Sequence, residues 1–420
     1  MPQGCDSTPK NETRLARIFD ADAAVFCEHL VFERKCQMPF SILILALGIF
    51  VINTSEFVIM GLLPEVAADL GVSIPAAGYL ISGYAFGVVL GAPLLTPFLV
   101  QAPRKAVLVA LMGVFTLGNL ACALAPSYEW MITARIITAL AQATFFGLGA
   151  VVATQLVAPG KAARAIAAVF LGSTIANMIG SPAGTAIGQE LGWRTSFLIL
   201  AGVAGVAVLM LILFLPRVSS QKIANLKTEF SVLARPEMIR ALMTTTLGFG
   251  GTFTTFTFIA PMLTDVTGLS SGWVAPLLLL FGFGMFLGNP LGGRLADWNI
   301  HRAVQYSLAF LIVVLLSVSL LMQYPVWMIA AVFFFGMALF STIPPLQIQV
   351  MSHAGDAPVL ASAFNIAAFN LGNGLGAWLG AMALDKGASY MQLPLIGAAM
   401  CAAGLGLAWI RSTAPKAAIR

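Results

Sequence analysis

Positive charge is nearly missing from every second connection of this chain. From Phe40 onward the sequence breaks into about twelve apolar runs, each near the ~20 residues a helix needs to cross a bilayer. Of the 22 Lys and Arg, five lie in the N-terminal tail (Lys10, Arg14, Arg17, Arg34, Lys35). Fourteen fall in alternate loops and the C-terminus: Arg104, Lys105; Lys161, Arg164; Arg217, Lys222, Lys227, Arg235, Arg240; Arg294, Arg302; Arg411, Lys416, Arg420. Arg194 and Lys386 fall in the other set of loops, and Arg135 lies inside a run. Cytoplasmic loops retain Lys and Arg, so the pattern predicts a polytopic membrane protein with both termini in the cytoplasm.

Composition points the same way. The apolar fraction of 59% exceeds a soluble norm of ~45–50%, and 9% charged lies far below the usual ~25%. A net charge of +5 would suggest a nucleic-acid partner in a soluble protein; here the loop bias explains it, and no basic patch interleaved with aromatics is present. The five cysteines have no metal-ligand spacing, Cys5, Cys27 and Cys36 lying in the tail and Cys122 and Cys401 inside runs. No metal, cofactor or disulfide is expected.

The spans are placed at 40–62, 76–99, 106–125, 130–157, 163–189, 194–216, 241–264, 273–294, 302–323, 326–350, 359–385 and 392–411. This predicts an all-α membrane protein of twelve transmembrane helices: a six-helix half at 40–216, a cytoplasmic loop at 217–240 and a second half at 241–411. A cytoplasmic tail follows at 412–420. The first 37 residues carry 11 charges and no apolar run long enough for a signal peptide. They read either as a cytoplasmic arm, helical from Asp20 to Lys35, or, the preferred reading, as sequence upstream of a start at Met38. The tail 1–39 is expected to lie outside the fold.

Because six is even, the halves form a parallel repeat, and the repeat is visible. Gly87, Leu90, Gly91, Pro93 and Leu94 of span 2 recur 197 residues later as Gly284, Leu287, Gly288, Pro290 and Leu291 of span 8. Gly180, Gly184 and Gly188 of span 5 match Gly372, Gly376 and Gly380 of span 11 at an offset of 192. Glycines four apart line one helix face and admit a neighbouring backbone. With Pro182 in span 5 and Pro344-Pro345 kinking span 10, these glycines are expected to mark an interface where the halves rock.

Gly293-Arg294-Leu-Ala-Asp297, followed by His301-Arg302, resembles the Gly-x-x-x-Asp loop of the major facilitator superfamily in its second-half copy. The first-half copy has Thr96 and Val100 in place of the Gly and Asp, and keeps Arg104-Lys105. Thr54-Ser55-Glu56-Phe57 with Met60-Gly61-Leu62-Leu63-Pro64, and Phe145-Phe146-Gly147, Trp193-Arg194, Pro344-Pro345-Leu346-Gln347 and Phe369-Asn370-Leu371-Gly372-Asn373, narrow the match. They resemble arabinose-efflux-permease-like and chloramphenicol exporters of the drug:proton antiporter branch. Gln142-Ala143 stand where relatives often have His-Gly. The resemblance implies the major facilitator fold, a cytoplasmic gate at Arg104, Lys105, Gly293, Arg294, Asp297 and Arg302, and a central cavity lined by spans 1, 4, 7 and 10. It also implies a bacterial inner membrane.

No phosphate-binding Gly-x-x-x-x-Gly-Lys-Ser/Thr loop exists and no nucleophile–base set is present, so neither ATP hydrolysis nor another enzymatic activity is expected. Uphill work must then draw on an ion gradient. Two charges lie within spans, Glu56 and Arg135, both about 8–9 Å inside the same boundary at ~1.5 Å per residue. A charge near the bilayer centre costs ~2.5–3.5 kcal/mol, so mutual pairing is expected. Arg135 stays protonated; Glu56 can switch, burial and the guanidinium acting on its proton affinity in opposite senses. The alternative is a static ion pair locking span 1 to span 4. Arg135, Thr138 and Gln142 form one stripe of span 4, and Asn53 shares a face with Glu56, which makes Asn53, Thr138 and Gln142 candidate cavity residues. The threonines of span 7 and Asn365, Asn370 and Asn373 of span 11 read as packing. The expected function is proton-coupled export of a small organic solute, a drug-like amphiphile or a sugar, by a monomer whose partners are substrate, protons and lipid. The alternative is proton-coupled uptake by symport; a transporter-like sensor or a membrane enzyme is less favoured, because the sequence holds neither a sizeable soluble output domain nor a convergent acid–base set.

Overall fold

The structure, a computed structural model, describes residues 40–99, 102–158, 161–217, 235–354 and 358–410. The tail 1–39, residues 218–234 of the central loop and the segment 412–420 lie outside them. The described residues form helices and connections, with no strand among them. The N-terminal set comprises α1 (Phe40–Gly61), α2 (Leu63–Asp69), α3 (Ile74–Leu99), α4 (Arg104–Ala123), α5 (Tyr128–Gln155), α6 (Ala162–Ile175), α7 (Ser181–Leu191) and α8 (Trp193–Phe214). The C-terminal set comprises α9 (Pro236–Gly250), α10 (Phe253–Phe256), α11 (Ile259–Pro261), α12 (Val274–Trp298), α13 (Ile300–Leu321), α14 (Pro325–Ser341), α15 (Ile343–Ser352), α16 (Pro358–Asp385) and α17 (Leu393–Trp409).

Among the described residues, ten helical segments are long and apolar enough to cross a membrane. Two of the twelve expected runs fall outside that group for different reasons. α16 is 28 residues long, but Asn365, Asn370 and Asn373 dilute its hydropathy. The run expected as one span at 241–264 is broken: α9 stops at Gly250, and α10 and α11 follow as short pieces before a wide turn at Met262–Val266. Residues without side chains cannot hold a helix by packing, and Gly250 and Gly251 meet the backbones of Gly372 and Gly397 instead. Thr252 and Thr254 hydrogen-bond back to the carbonyls of Phe249 and Gly251, which loosens the helix further.

Prolines sit where the missing donor does least harm. Pro344 and Pro345 occupy the first turn of α15, just after a break at Thr342, where no intrahelical donor is required. Pro182 holds the same position in α7, behind a wide turn at Ala176–Gly180.

The repeated glycines make repeated contacts. A Cβ at Gly91 of α3 would lie 2.7 Å from the Leu140 carbonyl oxygen of α5, and one at Gly288 of α12 would meet the Met337 carbonyl of α14. Gly184 of α7 meets Val58 of α1 and Gly188 meets Leu62, just beyond its end, while Gly372 and Gly376 of α16 meet the Gly250 backbone of α9. The ladders therefore join helices within each set, correcting the expectation that they form the rocking interface. Without a hydrophobic driving force in lipid, helices associate where small residues allow close backbone contact, and that need is greatest inside each bundle. Contacts between the sets use other positions: Gly282 against Asn177 and Met178, Gly78 against Phe258 and Ala381, and Gly374 against Phe86.

Among the described residues four glycines have positive φ, Gly71, Gly192, Gly268 and Gly387. All four turn the chain at the same end of the bundle, the end that holds Arg194 and Lys386. Here Tyr79 donates to Asp385 at 2.9 Å, joining the two sets, and Phe57 packs on Phe253 and Phe256. Large apolar side chains such as Leu117, Leu209, Leu213 and Leu320 are exposed along the flanks, as lipid contact requires. Exposed Trp130, Trp273 and Trp327 sit toward the glycine-turn end and Trp298 and Trp409 toward the other, the two interfacial belts of a spanning protein.

Candidate functional site

Glu56 lies one and a half turns from the end of α1 and Arg135 two turns into the antiparallel α5, both almost fully buried at 7% and 1% exposure. Their side chains do not pair. In a helix each Cα–Cβ bond leans toward the N-terminus, so two residues level on antiparallel helices send their ends in opposite directions. The Arg135 guanidinium reaches the main chain of α1, Nη1 donating to the Ser55 carbonyl at 2.8 Å and Nη2 to the Glu56 carbonyl at 3.3 Å. It also lies 4.2 Å from the centroid of the Tyr84 ring. The Glu56 carboxylate leans the other way and accepts from Gln142 Nε2 at 2.7 Å. Gln142 Oε1 in turn accepts from the Tyr84 hydroxyl. The expected ion pair is thus replaced by an indirect link, carboxylate to amide to phenol to guanidinium.

The surrounding bonds hold this arrangement. Ser55 donates to Asn119 of α4 at 2.6 Å, and Asn119 donates to the Phe115 carbonyl at 2.9 Å, fixing the segment that receives Arg135. Asn53 donates to Ser173 of α6. Thr138, expected at the cavity, turns instead to the carbonyls of Ala134 and Arg135 at 3.1 and 2.7 Å and packs against Gly118. A membrane threonine satisfies its hydroxyl within its own helix when no polar neighbour is in reach.

A cavity of about 150 Å³ lies between the two helix sets. Asn53, Glu56, Gln142, Ser173 and Asn177 form its polar wall on the N-terminal side. Phe249, Phe340, Phe369, Asn370 and Asn373 line the C-terminal side, and Phe57 and Phe146 close it. Asn53, Glu56 and Gln142 are brought together as the sequence suggests. Asn370 and Asn373, read as packing, are on the wall, and Asn177, Ser173 and Tyr84 escaped the sequence reading altogether. Ser173 and Asn177 stand four apart on one face, a weak signal in a chain where most such pairs are interhelical glue.

The residues expected at the cytoplasmic gate stand at the opposite end from the glycine turns, and among the described residues no ion pair joins them. Among the described residues the one ion pair is Arg194–Asp69, at the glycine-turn end, where Arg194 also donates to the Ala125 carbonyl at 2.8 Å. Lys105 donates to the Ile212 carbonyl in the last turn of α8 at 2.7 Å, a favourable site for a cation, and Arg302 lies over the Trp298 ring at 5.5 Å. Arg294 and Asp297 are exposed on α12, Arg104 keeps a buried Nη1 without a partner, and nothing lies within 4 Å of a Cβ at Gly293. Pro182, Gly180 and Gly184 and their counterparts Gly372 and Gly376 support packing of the cavity helices and lie off the cavity wall.

The family model for the Major Facilitator Superfamily matches residues 45–381. The chain is 43% identical to the inner membrane transport protein YdhP of Escherichia coli K12 over 380 residues, covering 90% of this chain and 97% of that one. It is 32% identical to a chloramphenicol resistance protein of Streptomyces lividans, covering 83% and 90%. In three dimensions it is similar to the crystal structure of a D-xylose–proton symporter, with a TM-score of 0.73 at 15% identity, covering 89% and 98%.

Proposed function

The chain belongs to the Major Facilitator Superfamily, and from that membership we propose that it exports a small organic solute in exchange for protons. It is a multi-pass membrane transporter with relatives of the efflux type. In this reading α9 to α11 together, and α16, complete twelve spans in two six-helix halves with both termini cytoplasmic. The observation that carries the proposal is a single ionisable side chain, Glu56, on the wall of the cavity between the two sets of helices. A carboxyl there is reachable from one side of the membrane at a time if the halves rock about the cavity. It would release its proton inward, take up substrate, and be reprotonated from outside. Gln142 positions the carboxylate by donating to it at 2.7 Å.

A relative named for chloramphenicol resistance makes drug-like amphiphiles the first class to test, with sugars beside them. The experiment is solute-driven proton movement in proteoliposomes loaded with a pH-sensitive dye, screened with chloramphenicol, other antibiotics and sugars. Wild-type protein should couple at least one solute to proton flux, and Glu56→Gln should not. Equal pH-dependent exchange in both proteins would remove Glu56 from the mechanism.

A further inference from the structure

A second cavity, of about 210 Å³, opens at the end of the bundle opposite the glycine turns. It is framed by the first two turns of α9, the first turn of α13 and the last turns of α15 and α17, and it shares no residue with the Glu56 cavity. Part of its wall is apolar, from Ala241, Ile300, Leu407, Ala408 and Ile410. Glu237, Arg240, His301, Gln349, Ser352 and His353 supply the polar part. Glu237 and Arg240 stand three apart on α9, a spacing at which opposite charges normally meet, yet neither belongs to an ion pair among the described residues. His353 is held in place: its Nδ1 donates to the Gln349 carbonyl at 2.8 Å, which leaves Nε2 as the uncommitted nitrogen of the ring. Ser352 Oγ donates to the same carbonyl at 2.7 Å, and Gln349 buries its own Oε1 off the cavity. Among the described residues no three His, Cys, Asp or Glu are grouped as metal ligands must be, so the imidazoles here do not mark a metal site.

The two free charges decide the class of ligand. A simple anion would answer Arg240 and be repelled by Glu237, and a simple cation would do the reverse. An apolar group would cover both charges and answer neither. A zwitterion answers both at once. Donors for its acid group come from Arg240, His301 and the positive ends of α9 and α13, a set that suits the oxygens of a phosphate. Acceptors for its ammonium come from the Glu237 carboxylate and the negative ends of α15 and α17. The cavity also lies at the bilayer surface. Ile410 lines it and is exposed, as are the neighbouring Ile239 of α9 and Trp409 of α17, and Trp409 belongs to the interfacial belt at this end. At about 210 Å³ it falls below the ~300 Å³ at which sites for drug-sized ligands begin, which is room for a head group rather than for a whole solute.

We propose that this cavity is a binding site, separate from the one that holds Glu56, for an ethanolamine phosphate group, with the phosphate on Arg240 and His301 and the ammonium on Glu237. The exposed apolar rim makes the head group of a membrane lipid the first source of that group, and free phosphoethanolamine the second.

The full-length protein in detergent is offered equal amounts of phosphatidylethanolamine, phosphatidylglycerol and phosphatidylcholine with matched chains, and the retained lipids are counted by native mass spectrometry. Phosphatidylglycerol lacks the ammonium, and phosphatidylcholine carries one with no N–H to donate. Wild-type protein should therefore retain phosphatidylethanolamine on the order of tenfold over either. Glu237→Gln should erase the preference over phosphatidylglycerol. Arg240→Gln should weaken phosphatidylethanolamine on the order of tenfold, and Arg240→Lys, which keeps the cation, should retain it. Each preference is a ratio read within one folded protein, so a lower yield of a variant does not imitate the effect. Free phosphoethanolamine is titrated by calorimetry into the protein in phosphatidylcholine nanodiscs, with empty nanodiscs subtracted. Saturable binding there that Glu237→Gln and Arg240→Gln abolish, without a lipid preference, supports the site with a soluble ligand. Equal retention of the three lipids together with no phosphoethanolamine binding would overturn the assignment, as would a preference that survives both Gln variants.

Discussion

A carboxyl and a guanidinium buried at one depth invite an ion pair, yet Glu56 and Arg135 act through intermediaries. That makes their mutants separable. Glu56→Gln keeps the hydrogen bond from Gln142 and cannot titrate, so uphill exchange should fall to background while solute binding loses mainly its pH dependence. Arg135→Ala removes the two bonds to α1 and the cation over Tyr84. A buried carboxyl that loses its nearby cation keeps its proton, so this variant should be slow in proton release. In the double mutant the losses should fall short of the sum, by ~0.5–3 kcal/mol, as for groups in one network. Strict additivity in single-turnover flux would show that the two residues act apart. Glu65, on the short α2 outside the spans, allows a second test. Burial pushes its carboxyl up from the ordinary range, and its Oε2 has no partner. The folded state then holds a proton that the unfolded chain gives up, so stability is lost as pH rises through that window. Glu65→Gln should therefore raise the melting temperature at neutral pH, with the gain vanishing near pH ~4. A gain that grows on acidification would contradict the sign. Legibility at this scale follows cost. Glu56, Gln142 and Asn53 stood out because charge and amide are expensive in an apolar run, whereas Asn177, Asn370 and Asn373 did not. An asparagine in a membrane helix reads the same whether it faces a cavity or a neighbour, and only the rotation of the helix decides.

Elements were legible where a pattern was repeated. The offsets linking Gly87 and Gly91 to Gly284 and Gly288 appear in the structure as equivalent approaches of α3 to α5 and of α12 to α14. The positive-φ glycines follow the same spacing, Gly71 with Gly268. What the pattern could not say is which neighbour a glycine face meets, and the ladder of α16 turned out to serve α9. The break in the 236–266 region was hidden because hydropathy is blind to the loss of helical bonds at a glycine pair. The contact itself can be tested. A Cβ on Gly372 would meet the Gly250 backbone at 2.9 Å, and backbone cannot rotate aside. Gly372→Val should cost at least ~1–3 kcal/mol, read as lost monodisperse yield or a lower melting temperature. Gly147→Ala, with nothing within 4 Å of the added carbon, should leave both unchanged. Equal tolerance at the two positions would mean that the α9–α16 approach is not close in the membrane.

For the whole molecule, orientation and conformational state are linked through the glycine-turn end. Of the basic residues outside the spans, Arg194 and Lys386 stand there, and Arg194 is neutralised by Asp69. The opposite end carries most of the loop Lys and Arg, the excess that the positive-inside bias retains in the cytoplasm. With the glycine turns external, as that bias predicts, the contacts of Tyr79 with Asp385 and of Phe57 with Phe253 and Phe256 would seal the external side. The Glu56 cavity lies behind that seal, so in this state a solute would reach it from the cytoplasmic side. Single-cysteine labelling checks the premise. In a background freed of native cysteines, Ala388→Cys in the α16–α17 connection should react with an impermeant maleimide added outside intact spheroplasts. Asn225→Cys, in the central loop, should react only after lysis. Labelling of position 225 but not 388 from outside would invert the protein in the membrane. It would also put the closed seal on the cytoplasmic side, so this measurement decides which state of the alternating cycle the seal and the cavity represent, while solute flux decides the direction of the cycle.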